Sequence, residues 1–94
     1  MRLWVRMVKG HKILRQATHE CAFDEADDAL TEVCRAFDIP KPLWLPKQER
    51  EYQAFRVTAF THDNFLEDVP FDRLEIEFLD DGPKRKSADP RNQF

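Results

Sequence analysis

The sequence predicts a two-layer α+β domain: a mainly antiparallel four-stranded sheet with one or two helices on one face, in the order ββααββ. Three observations predict it. Residues 2–8 and 74–79 alternate apolar with mostly charged side chains, as strands with one wet face do; residues 24–37 repeat apolar side chains at helical spacing. The third is length, since 94 residues suffice for one hydrophobic core only.

In the first segment Leu3, Val5 and Met7 share one side, and Arg2, Trp4 and Arg6 share the other. Lys9-Gly10-His11 reads as a turn, because Gly10 takes a positive φ at little cost. Ile13 to His19 continues extended, so the first twenty residues form a β-hairpin. From Asp24 to Phe37, the residues Ala26, Ala29, Leu30, Val33, Ala36 and Phe37 recur on a helical stripe. Asp24 is placed to cap that helix, and Glu25, Asp27 and Asp28 fill its first turn, where the helix dipole favours negative charge. Pro40 and Pro42 end it, since proline has no N–H to donate and restricts the residue before it.

Ile39 to Pro46, written IPKPLWLP, is then a stiff extended connector that leans on the body of the domain. Pro46 opens a second, shorter helix reaching Phe55, with Tyr52 and Phe55 turned towards the core. Residues 56–61 read as a strand and 62–69 as a turn or short helical loop. In the last strand Leu74, Ile76 and Phe78 alternate with Arg73, Glu75 and Glu77. Residues 1–82 thus form one domain, and 83–94 a basic flexible tail. A helix-capped barrel is the alternative architecture, and strand order is not readable from the chain.

Eight Phe, two Trp and one Tyr argue for a packed core in spite of the many charges. The net charge of −3 hides a segregation along the chain. Residues 1–19 carry Arg2, Arg6, Lys9, Lys12 and Arg15 and no acid; residues 20–39 and 61–82 are acidic; the tail returns to Lys84, Arg85, Lys86 and Arg91. Two cysteines are too few for a disulfide framework, and no apolar run is long enough for a signal peptide or membrane span, so the expectation is a cytoplasmic protein with free thiols.

The groups that could carry chemistry each have a plainer reading. His19, Cys21, Cys34 and His62 match zinc's preferred donors, but no CxxC or HxxxH pairing brings them together, and the expectation is no metal and no cofactor. His62-Asp63 more simply caps a turn than forms a catalytic dyad. With only two glycines, the chain has no Gly-rich phosphate loop and no nucleophile elbow, so the reading leans away from an enzyme.

Two binding readings remain. Trp44 in KPLWLPK, flanked by Leu43 and Leu45, is a candidate protein-contact anchor, with Trp4 on the sheet as a second; the plain alternative is that the Leu-Trp-Leu run folds back as a lid on the core. Alternatively Arg2, Arg6, Lys9, Lys12 and Arg15 on the hairpin, with Lys84, Arg85 and Lys86 in the tail, contact nucleic acid around Trp4. Against this, Glu75 and Glu77 neutralise the arginines if the last strand lies beside the first. The favoured reading is a non-enzymatic protein-interaction or structural module. The small core, together with Trp4, Val8 and the connector as exposed apolar surface, makes it a homodimer.

Overall fold

A computed structural model describes residues 1–80. The last two residues of the expected domain and the whole basic segment 83–94 lie outside the described residues. The elements are β1 (Arg2–Lys9), β2 (Lys12–Glu20), a 3₁₀ turn (Phe23–Glu25), α1 (Ala26–Phe37), α2 (Pro46–Phe55), β3 (Val57–Thr61), a second 3₁₀ turn (His62–Asn64) and β4 (Arg73–Leu79). The four strands make one sheet in the order β2-β1-β4-β3, antiparallel at every neighbouring pair. This is the expected α+β fold.

The alternation in β1 and β4 does what a period of two dictates. Leu3, Val5 and Met7 lie opposite Phe78, Ile76 and Leu74, and all six are buried beneath the helices together with Leu30, Val33, Phe37 and Phe60. Leu3, Leu30 and Ile76 belong to one continuous core and have no exposed surface. Trp4, Arg6, Glu75 and Glu77 occupy the other face.

Both helices stop at residues in the left-handed conformation that are not glycine. At the end of α1, Asp38 has φ 59°, its N–H donates to the Arg35 carbonyl at 3.1 Å, and the Ile39 N–H donates to the Cys34 carbonyl at 3.0 Å. Those two bonds are the Schellman pattern, with aspartate where glycine is usual. At the end of α2, Arg56 has φ 63° and donates from its N–H to the Tyr52 carbonyl at 2.8 Å. Its own carbonyl then accepts from the Phe78 N–H at 2.8 Å, which steers the chain onto β4.

Three local expectations are corrected. Asp24 does not cap α1, because the chain enters through the 3₁₀ turn and Glu25 instead reaches back, its carboxylate accepting from the Ala22 N–H at 2.9 Å. Val8 is not on an open face but only 4% exposed. An extra residue in β2 shifts the register between Met7 and Val8, and the Asp72 N–H, on the approach to β4, binds the Val8 carbonyl at 2.9 Å. Phe55 is 74% exposed rather than core-facing. The buried stripe of α2 runs through Gln48 and Tyr52, four apart, and Phe55, three further on, continues that spacing but stands exposed at the last helical position.

Ile76→Ala lowers the unfolding free energy by about 2–5 kcal/mol. Leu66→Ala, at a side chain 86% exposed, changes it by less than about 0.5 kcal/mol; urea denaturation of both variants checks the contrast.

Candidate functional site

The connector between α1 and α2 is not a loose strap. Asn64, buried in the turn after β3, donates through its side-chain amide to the Leu43 carbonyl at 2.9 Å and to the Gln48 carboxamide oxygen at 3.0 Å. Its backbone carbonyl accepts from the Leu43 N–H at 2.6 Å, and its side-chain oxygen accepts from the Thr61 N–H at 3.1 Å. Gln48, buried on α2, completes the knot by donating to the Ala59 carbonyl at 3.2 Å. A buried carboxamide left without partners is costly, so these bonds fix the height of the connector on the domain.

With its neighbours held there, Trp44 points inward. Its ring packs edge-on to Tyr52, with centroids 5.5 Å apart, and tilted against Phe60 at 5.6 Å. Leu43 and Leu45 point away and are 42% and 39% exposed. Of the expected Leu-Trp-Leu lid, the indole alone covers the core, and the two leucines remain outside.

Beside Trp44 a cleft of about 390 Å³ opens between the start of α1 and the outer face of α2. Phe23 and Tyr52 stack with centroids 4.4 Å apart, and Phe78 meets Phe23 edge-on at 5.2 Å. Burial raises the pKa of the Tyr52 phenol, which stays protonated and donates to the Phe23 carbonyl at 2.8 Å. The rim is acidic. Asp24 and Asp27 come from the α1 side and Glu49 from α2. Lys41 pairs with Asp27 at 2.7 Å, whereas the Glu49 carboxylate takes two neutral donors, the Trp44 indole N–H at 2.7 Å and the Gln53 amide at 2.8 Å. Those donors aim the carboxylate without cancelling its charge.

The hairpin arginines are not gathered into one basic face. Arg6 sits opposite Glu75 and donates to it at 3.0 Å and to Glu77 at 3.2 Å, with its guanidinium 4.2 Å from the centroid of the Trp4 ring. The indole N–H of Trp4 is taken by the Gln16 side chain at 3.0 Å. Arg15 is on the helix face, where it donates to the Phe37 carbonyl at 3.1 Å and lies 4.6 Å from the Phe37 ring centroid, a cation at the negative end of α1. Arg2 is at the far end of β1, while Lys9 and Lys12 oppose each other at the hairpin tip. Lys84, Arg85 and Lys86 lie outside the described residues. Trp4 and Trp44 are on opposite faces of the sheet and do not form one surface.

The remaining candidates stand apart. Cys34 is buried in α1 and burial pushes its thiol up to about 11; Cys21, beyond β2, is raised by burial and then by the charge of Glu25. Both are protonated at neutral pH and poor nucleophiles. The Nε2 of His62 lies 2.6 Å from the Phe71 carbonyl, which ties the turn after β3 to the approach to β4. Among the described residues, no three His, Cys, Asp or Glu side chains converge as metal ligands. No helix there is long and apolar enough to cross a membrane.

Sequence reasoning singled out Trp44 but missed Phe23, Glu49, Tyr52 as a cleft wall, and Asn64 as their fixing point. Phe23 precedes the helical stripe and Asn64 sits in a short loop, so no periodicity marks either. Comparison of the chain with protein-family models, with curated proteins and with solved structures gives no match.

Asn64→Ala lowers stability by about 1–3 kcal/mol and, in a Trp4→Phe background, red-shifts the Trp44 emission as the connector lifts. On the open face, burial alone would raise the pKa of the Glu75 carboxyl, but hydrogen bonds from Arg73 and Arg6 and their charges outweigh it and hold the group below the usual glutamate value. The stability this supplies is present in full above that value, 4.5, and is lost as pH falls through the lowered one. Glu75→Gln therefore weakens the fold at pH 7 and flattens its acid sensitivity, read from urea midpoints at stepped pH.

Proposed function

We propose that this chain is a non-enzymatic, cytoplasmic protein-interaction module that recognises a partner through the Phe23–Trp44–Tyr52 cleft and pairs with a second copy of itself. The observation that carries the reading is the cleft. It is a preassembled aromatic wall, wet on one side, bordered by a carboxylate that, among the described residues, takes neutral donors and no cation. Aromatic side chains in such a setting supply contact area with little left to order on docking. The protonated thiols support a binding rather than a nucleophilic role. The dispersal of Arg6 and Arg15 to opposite faces weighs against a phosphate-binding hairpin.

Self-association is proposed at the β3 edge and not at Trp4 or Val8. Phe55 and Val57 are exposed together there, on the margin of a depression of about 450 Å³ that Arg6, Ala59 and Glu75 also line. Lys47, Arg50 and Glu51 line a second depression against Phe55, so charges of both signs border the apolar centre. An apolar centre ringed by both signs can meet a second copy of itself across a two-fold axis.

Phe55→Asp abolishes the concentration-dependent dimer in sedimentation equilibrium and leaves Tm within about 2 °C of the parent, because the side chain contributes little to the monomer's core. A parent chain that stays monomeric at millimolar concentration overturns the self-association half of the reading.

A further inference from the structure

We infer that the cleft takes a cation: the Lys or Arg side chain of an extended, basic segment of a partner protein. This rests on the cleft being the recognition surface and adds the chemistry of what enters it.

Three observations converge. The first is charge. Asp24, Asp27 and Glu49 line the opening, and among the described residues Asp27 is the one of the three with an ion-pair partner, Lys41. Glu49 is turned by the Trp44 indole and the Gln53 amide, both uncharged, and so keeps a full negative charge at a fixed position. The second is the wall. Phe23 and Trp44 are each half-buried and line the cleft, held there by packing against Tyr52 and Phe60. A π face beside a carboxylate attracts an ammonium or guanidinium more than a neutral apolar group of the same size. Both kinds of cation already lie at this wall within the domain: Lys41 reaches Asp27 on the rim at 2.7 Å, and the Arg56 guanidinium lies 6.0 Å from the Phe23 centroid.

The third observation is size. At about 390 Å³ the cleft is at the small end of ligand pockets, which run from roughly 300 to 1,000 Å³. That volume suits one long side chain with the backbone beside it. Leu43 and Leu45, exposed next to Trp44, lie where the flanking residues of such a segment would pass. A phosphate or acidic peptide would meet the rim carboxylates and be repelled.

The test uses the full chain carrying Trp4→Phe, so that Trp44 alone reports, and two blocked heptapeptides, one alternating lysine with alanine and one alternating glutamine with alanine. The lysine peptide changes the Trp44 emission saturably, more weakly as ionic strength rises, and the glutamine peptide does not. Glu49→Gln keeps an acceptor for the indole but removes the charge, and Asp24→Asn removes another; each weakens lysine-peptide binding about three- to fivefold at unchanged Tm. Glu67→Gln, on the loop before β4, leaves binding unchanged. Equal binding of both peptides overturns the cationic specificity and leaves an interaction cleft standing. No binding of either overturns the cleft as a recognition surface.

Discussion

One buried carboxamide holds the arrangement together. Asn64 ends the turn after β3 and bonds to the connector, to α2 and to the end of β3 at once, so three segments far apart in sequence share one point of attachment. Had an apolar residue stood there, the proline-rich connector would still be stiff and the Leu43 N–H would still reach the backbone carbonyl at 64, but the tie to the Leu43 carbonyl and the tie to α2 would both be lost. Stiffness without attachment does not place an indole. Because Leu43 is pinned through both its N–H and its carbonyl, Trp44 must enter the layer between Tyr52 and Phe60, and the aromatic wall follows from that placement. Buried polar contacts of this kind add modestly to stability and much more to uniqueness.

The two faces of the sheet use the same charged residue types for different ends. On the open face, cross-strand neighbours Arg6 and Glu75, with Glu77 and Arg73, interlock into a lattice in which each charge has its opposite at hand. On the helix side, Arg15 satisfies a carbonyl at the end of α1 and covers Phe37 with its guanidinium plane. In the cleft, the Glu49 carboxylate takes neutral donors. A sequence in which acidic and basic blocks alternate thus becomes a molecule whose open sheet face interlocks opposite charges, while the rim of the cleft gathers acids with Lys41 as their ion-pair partner among the described residues.

How much of this the sequence contained depends on how local the cause was. Leu3, Val5, Met7, Leu74, Ile76 and Phe78 were legible because alternation is a property of the strand itself, and one-sided burial is its only common source. The stripe of α1 was legible for the same reason, whereas the helix stops at a left-handed Asp38, two residues before Pro40, which no spacing announces. Phe55 was not, since its spacing from Tyr52 points it towards the core and only its place at the end of the helix exposes it. Val8 misled because an extra residue in the neighbouring strand alters the register, and nothing in β1 records it. The neutralising role of Glu75 waited on strand order: the reasoning from cross-strand pairing was available, but the adjacency of β1 and β4 came only with the fold. The cleft drew residues from four separate segments, and of these Trp44 alone was unusual enough to be noticed.

The register shift in β2 has a consequence beyond Val8. A nine-residue outer strand with an uncommitted row of amides and carbonyls is the usual template on which sheets grow from molecule to molecule. Here the row is kinked by its additional residue and bears Lys12 and Arg15, so an incoming strand meets a bent track with two cations on it. Growth from that margin is discouraged, and ordered stacking into fibrils loses its most natural starting point.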